Sequence, residues 1–83
     1  MHELGIMVSA MAAVLREAQS RGARRVHRIV LRIGSLSGVE PDALRFAFDV
    51  VARDTLAAAA TLDIETVAAR SHCPTCQADF DVE

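Results

Sequence analysis

RVHRIVLRIG, residues 25–34, has the alternating pattern of a half-buried β-strand. Every second side chain is apolar, and the positions between them include Arg28 and Arg32. The apolar set is Ile29, Leu31 and Ile33. Successive side chains of a strand point to opposite faces of the sheet, so this segment has one face for a core and one charged face for water.

Helical periodicity flanks this strand on both sides. Before it, apolar residues recur in three- and four-residue steps from Leu4 to Ala18, and Gly22 supplies a stop. After it, Pro41 suits the first position of a helix whose spacing continues to about Asp54. The apolar positions are Leu4, Met7, Val8, Met11, Val14, Leu15 and Ala18 in the first helix and Leu44, Ala47, Phe48 and Val51 in the second.

Residues 62–67 alternate well enough to form a second strand, which gives the order helix, strand, helix, strand. A helix between two neighbouring strands is consistent with a right-handed crossover. We therefore predict an α+β fold with two helices packed on one face of a small sheet, followed by a Cys-x-x-Cys segment. Two strands would leave a sheet edge unpaired, and such an edge invites pairing with another chain.

Size and charge restrict the class of protein. Eighty-three residues with 52% hydrophobic content suit one small domain, near the lower limit for a core without a metal, disulfide or partner. A net charge of −2 argues against nucleic-acid binding, although all nine basic residues are arginine. The apolar runs are short and no secretory signal is present, so we expect no membrane association and a cytoplasmic location.

Cys73 and Cys76 form a Cys-x-x-Cys motif. In a reducing compartment such a pair favours metal binding or redox chemistry over a structural disulfide. Two thiolates at this spacing can hold a tetrahedral Zn²⁺ from two directions, which is half of a zinc site. His72 is either a third ligand or a solvated loop residue. A thioredoxin-like redox motif, which would normally precede a helix, and incidental free thiols are the alternatives.

The first three residues, Met1, His2 and Glu3, form a candidate chelate. The α-amine of Met1 and the amide nitrogen and imidazole of His2 could occupy adjacent corners of a square plane, with the Glu3 amide or carboxylate nearby. An amide nitrogen binds a metal after losing its proton, and Ni²⁺ and Cu²⁺ drive this because both favour square-planar nitrogen ligands. In the alternative reading, His2 is there by chance and Glu3 is a good first-turn residue.

Taken together, Met-His-Glu-Leu, the amphipathic helix, RIGSLSGVEPDALRFAFD at residues 32–49 and the Cys-x-x-Cys resemble the HypA/HybF family of hydrogenase maturation nickel-insertion proteins. The likeness spans nearly the whole chain. It implies a nickel metallochaperone that delivers Ni²⁺ to the precursor of the [NiFe]-hydrogenase large subunit and works with a nickel-binding GTPase accessory protein. It places nickel on His2, with backbone nitrogens from Met1 and Glu3, and zinc on Cys73 and Cys76.

The resemblance also implies a second Cys-x-x-Cys and a final strand that completes the sheet, and we expect neither in these residues. We accordingly expect a nickel-binding α/β domain over residues 1–69 and a truncated, partial zinc-binding segment over residues 70–83. A homodimer would supply both missing features, because a second copy of the chain would bring two more thiolates for the zinc and a strand for the open edge of the sheet.

Two other classes of protein remain. One is a metal-stabilised protein-interaction module without nickel transfer, which would retain its function after His2→Ala. The other is a thiol-dependent redox protein, which would need a resolving partner. No general acid–base pair falls in a plausible cleft, so the sequence does not predict an enzyme.

Overall fold

A computed structural model describes residues 2–68 and 76–82 of the chain. Within them, two helices and three strands follow one another in the order α, β, α, β, β. The elements are α1 (His2–Ser20), β1 (Val26–Gly34), α2 (Pro41–Val51), β2 (Thr61–Val67) and β3 (Cys76–Val82).

The sheet is mixed, with β1 in the centre and the strand order β2-β1-β3. β1 is parallel to β2, so that Ile29 faces Leu62, and antiparallel to β3, so that Ile29 also faces Phe80. Parallel neighbours need a crossover connection, and α2 lies in that connection. The predicted α+β fold, with two helices on one face of a small sheet, is confirmed.

The prediction of a two-stranded sheet with an open edge is wrong. Residues 76–82 form β3 along the second edge of β1. Phe80 of β3 packs against the core, and the guanidinium of Arg21, just beyond α1, lies 5.3 Å from the centre of its ring. Because β3 already pairs with β1, an unpaired edge of the central strand no longer argues for a second copy of the chain.

The core lies between the helices and the inner face of the sheet. Its most completely buried large side chains are Leu31, Leu44 and Val26. The whole set is Met7, Met11, Val14, Ala18, Val26, Ile29, Leu31, Ile33, Leu44, Ala47, Phe48, Ala52, Ala57 and Leu62. Leu4 and Val8 were predicted on the apolar face of α1 but are about half exposed, because that face is centred on Met7, Met11 and Val14.

The ends of the helices follow ordinary capping chemistry. Gly22, just beyond α1, has a φ of +69°, a left-handed conformation that glycine adopts without steric cost. Glu40 is the N-cap of α2. Pro41 is the first residue of this helix, as predicted. α2 ends at Val51 rather than at Asp54, since Asp54 itself has a φ of +62°, which a continuing helix cannot include.

Candidate metal centre

The amino end of α1 carries the predicted nickel ligands. α1 begins at His2, and Glu3 lies in its first turn. The first amide groups of an α-helix have no carbonyl four residues earlier to bond, so losing a proton from one of them breaks no bond of the helical ladder. Met1 lies outside the described residues, and for His2 the backbone alone is described.

Glu3 connects the amino ends of the two helices. Its Oε2 accepts a hydrogen bond of 3.0 Å from the backbone N–H of Glu40. Glu40 in turn caps α2, because its Oε1 accepts a bond of 3.4 Å from the N–H of Asp42. The amino ends of the two helices therefore meet beside the side chains of Glu3 and Glu40.

A shallow apolar groove begins next to Glu3 and runs between the helices. Phe46 and Val50 line its exposed side, and Phe46 is 72% exposed. The full lining is Glu3, Leu4, Ala43, Phe46, Ala47 and Val50. Glu3 is the one titratable residue in this lining, so the groove offers no acid–base pair for catalysis.

One of the two predicted zinc ligands, Cys76, lies on a different element from the predicted nickel ligands. Cys76 is the first residue of β3 and faces Ile33 in the antiparallel ladder, with the backbone alone described. Cys73 lies outside the described residues. Within residues 2–68 and 76–82, no group of three or more His, Cys, Asp or Glu side chains could hold a metal ion. Of the predicted metal ligands, the structure therefore describes Glu3 and the backbone of His2 on α1 and the backbone of Cys76 on β3.

Two arginines of β1, Arg28 and Arg32, form ion pairs with carboxylates of the neighbouring strands. Nε of Arg28 lies 2.6 Å from Oδ2 of Asp63, and Nε of Arg32 lies 3.2 Å from Oε1 of Glu65. Asp81 of β3 flanks Arg28 from the other side, with its Oδ2 4.0 Å from Nη1. The hydrogen bond and the charge of Asp63 raise the pKa of Arg28 above its ordinary value.

The sequence alone did not reveal the contact between Glu3 and Glu40. The sequence does show an acidic residue in the first turn of α1 and another directly before Pro41, at the N-cap position of α2. Each of these residues can be accounted for by the start of its own helix, without a contact between the helices. A contact across 37 positions requires the fold that brings the two ends together.

A family model described as "Hydrogenase/urease nickel incorporation, metallochaperone, hypA" matches residues 1–83. The chain belongs to the HypA family. The family resemblance inferred from the sequence is confirmed. Because HypA proteins are nickel-incorporation metallochaperones, the prediction that this chain is not an enzyme is confirmed as well.

Two hydrogenase maturation factors of the HypA family are similar along nearly the whole chain. The one from Chlorobium limicola is 46% identical over 82 residues, which are 99% of this chain and 71% of the relative. The one from Pelodictyon phaeoclathratiforme is 43% identical over 82 residues, which are 99% of this chain and 70% of the relative. The chain therefore matches most, but not all, of the length of these relatives.

A solved structure has the same fold. The solution structure of the Ni metallochaperone HypA from Helicobacter pylori superposes with a TM-score of 0.70 at 24% identity. The match covers 78% of this chain and 56% of that one, and at this identity it supports the fold alone. Within the part of our chain that the structure describes, no helix is long and apolar enough to span a membrane.

Proposed function

We propose that this HypA-family chain is a cytoplasmic nickel carrier for the maturation of [NiFe]-hydrogenase. It binds Ni²⁺ at its amino terminus and delivers the ion to the precursor of the hydrogenase large subunit, together with a nickel-binding GTPase accessory protein. The observation that carries the proposal is the start of α1 at His2 in a chain whose whole length matches a nickel-incorporation family. Relatives named as hydrogenase maturation factors favour hydrogenase over urease as the client.

The proposed ligands are the α-amine of Met1, the amide nitrogen and imidazole of His2, and the amide nitrogen of Glu3. Four nitrogens suit the square plane that Ni²⁺ favours. Amide ligation releases protons, so the affinity should rise with pH. A chelate at a chain end can also open one nitrogen at a time, so a receiving site can take the ion stepwise while the domain stays folded.

Nickel delivery is tested by complementation at limiting nickel. A bacterium that makes [NiFe]-hydrogenase but lacks its own HypA-family protein should regain hydrogenase activity with the native chain and with His27→Ala, which changes an exposed histidine of β1. His2→Ala should not restore activity, because it removes the imidazole ligand. Full activity with His2→Ala would instead support an interaction module that transfers no nickel. Nickel in the purified large subunit is measured beside the activity.

We further propose that residues 1–69 form the nickel-binding domain and that residues 70–83 form a zinc segment, whose strand β3 joins the same sheet. Cys73 and Cys76 would supply two thiolates to a structural Zn²⁺. Tetrahedral zinc needs four ligands, and the two cysteines of residues 1–83 would supply two of them. A second chain related by a two-fold axis would supply the other two thiolates.

A shared zinc predicts about one zinc per two chains and a dimer that a chelator separates, since the metal would hold the two segments together. Zinc analysis and light scattering on the reduced protein, with and without a chelator, measure both. Cys73→Ser should lose the zinc and the dimer, whereas Ser37→Ala, in a loop far along the chain, should keep both. A zinc-free monomer at micromolar concentration would contradict the shared site, and a chelator-resistant dimer would assign the association to another surface.

A further inference from the structure

The outer edge of β2 lies at one end of the sheet, because β1 pairs with the other edge of this strand. In a parallel ladder, every second residue points both its N–H and its C=O at the neighbouring strand. The carbonyl of Val67 accepts a hydrogen bond of 2.8 Å from the N–H of Ser35, just beyond β1, so Val67 belongs to the set that faces β1. The backbone groups of the alternate set therefore face the outer edge, and this set is Leu62, Ile64 and Thr66.

Arg45 of α2 supports this direction and covers one end of the edge. Its Nη1 donates a hydrogen bond of 3.0 Å to the carbonyl of Leu62. Within residues 2–68 and 76–82, the N–H and C=O groups of Ile64 and Thr66 have no hydrogen-bond partner. Unpaired groups along an edge strand are a template for another strand. The edge can therefore accept an extended segment beside Ile64 and Thr66.

The charges on the outer face of the sheet indicate what that segment should carry. Asp63 and Glu65 of β2 have side chains that are 41% and 52% exposed, and each pairs with an arginine of β1. Asp81 of β3 flanks Arg28 from the other side. The sign of the charge thus alternates from strand to strand and ends on β2 with two carboxylates. A strand that continues this alternation places a cation beside each carboxylate, and opposite charges on neighbouring strands are stabilising.

A second copy of this chain does not meet this requirement. In an antiparallel two-fold pairing centred on Ile64, Asp63 lies opposite Glu65 of the other copy. Moving the centre by one residue in either direction places Asp63 or Glu65 opposite its own copy. Like charges directly opposite each other are destabilising. The edge therefore favours a partner of different sequence.

We propose that the outer edge of β2 binds an extended segment of a partner protein in which two basic residues flank an apolar one. The segment adds a fourth strand and bonds to the free backbone groups of Ile64 and Thr66. Its two basic side chains share one face and lie beside Asp63 and Glu65, because side chains alternate along a strand. The apolar residue between them lies on the side of the core, next to the partly buried Ile64. This inference concerns β2 and does not depend on the proposed nickel site.

Two synthetic peptides with blocked ends test the proposal on the native chain. The probe is Thr-Val-Arg-Ile-Arg-Val-Thr, and its control, Thr-Val-Glu-Ile-Glu-Val-Thr, has the same apolar positions with opposite charges. In a nuclear magnetic resonance titration, the arginine peptide should shift amide signals centred on Ile64 and Thr66 and slow the hydrogen exchange of these two amides. The glutamate peptide should bind at least about tenfold more weakly, because two favourable cross-strand pairs become two unfavourable ones.

Substituting the two carboxylates tests the match of charge. In the double variant Asp63→Asn, Glu65→Gln, the preference for the arginine peptide over the glutamate peptide should disappear. The double variant Asp49→Asn, Asp54→Asn removes the same charge from exposed positions on and just after α2, and it should keep the preference. Asparagine suits the φ of +62° at position 54. Equal loss of the preference in both double variants would reduce the effect to net charge and overturn the proposal.

Thr66→Pro tests the hydrogen bonds of the edge. The N–H of Thr66 faces away from β1, so proline removes a donor that the ladder does not use, and proline is tolerated on edge strands at such positions. Thr66→Val keeps the N–H and controls for the changed side chain. The arginine peptide should bind about fivefold more weakly to Thr66→Pro and within about twofold of native to Thr66→Val. Thermal melting checks that every variant is folded.

Four results would overturn the proposal. One is an absence of binding at millimolar arginine peptide, and another is equal binding of the two peptides. A third is a set of shifts centred on the groove beside Phe46, which would place the peptide on the helices. The fourth is protection of the Ile64 and Thr66 amides in the free chain, which would show that the edge is already covered. If that protection rises with protein concentration, the occupant is a second copy.

Discussion

Acetylating the α-amine of Met1 should weaken nickel binding by at least about 100-fold, and His2→Ala should do the same. Each change removes a nitrogen that binds the metal directly, and mutating even a residue that only hydrogen-bonds to a metal ligand lowers metal affinity by about 10- to 100-fold. The chain allows a clean experiment, since all nine of its Lys and Arg residues are arginine. An amine-selective acetylating reagent therefore has one amine to modify, and hydroxylamine removes acetyl groups from thiols. Calorimetry of native, acetylated and substituted protein measures the affinities.

His27→Ala is the matched control for this prediction. His27 is an exposed histidine on β1, outside the proposed nickel site, so its loss should leave nickel affinity unchanged. Repeating the titrations in buffers of different ionisation enthalpy counts the protons released. The native protein should release protons from its amine and amide nitrogens, and acetylated protein should release fewer. Native affinity after acetylation would exclude the α-amine as a ligand.

The periodic elements of the fold were predictable from the sequence. In β1 the predicted inner positions Ile29, Leu31 and Ile33 are all buried, although Val30, predicted on the opposite face, is buried as well. The bounds of α1 and α2 were close because Gly22 and Pro41 mark a stop and a start. α2 was predicted three residues too long, because helical spacing carries no information about the left-handed conformation at Asp54.

β3 was not predicted, although a short alternating segment follows the two cysteines. The segment is short and acidic, and its Phe80 packs against the core. Such a strand forms because β1 offers hydrogen-bonding groups along a whole edge and because Arg28 faces Asp81. Both reasons are contacts between distant parts of the chain. Sheet pairing can therefore recruit a segment with little strand propensity of its own.

The candidate metal site also has one part that the sequence predicts and one part that only the structure shows. The ligand chemistry of Met1 and His2 follows from residue types and from their place in the sequence, so it can be proposed without a structure. The contact between the Glu3 side chain and Glu40 depends on the packing of α1 on α2. The groove beside Phe46 could not be predicted from the sequence either, since it is formed by side chains from both helices.

Phe48→Ala should destabilise the domain by about 3–5 kcal/mol, whereas Phe46→Ala should change its free energy of unfolding by less than about 0.5 kcal/mol. The two residues have the same side chain on the same helix, but Phe48 is 6% exposed in the core and Phe46 is 72% exposed in the groove. Truncating Phe48 removes buried apolar area and leaves a cavity, while truncating Phe46 removes area that already contacts water.

Unfolding in denaturant, followed by circular dichroism, measures both variants against the native chain. A domain of this size has a total stability of about 4–12 kcal/mol, so Phe48→Ala should lower Tm by more than about 12 °C or leave the protein unfolded. Equal losses in the two variants would mean that α2 is rotated relative to the arrangement described, with Phe46 also in the core. Because Phe46→Ala should leave the fold intact, any change that it causes in nickel delivery can be assigned to the groove surface rather than to unfolding.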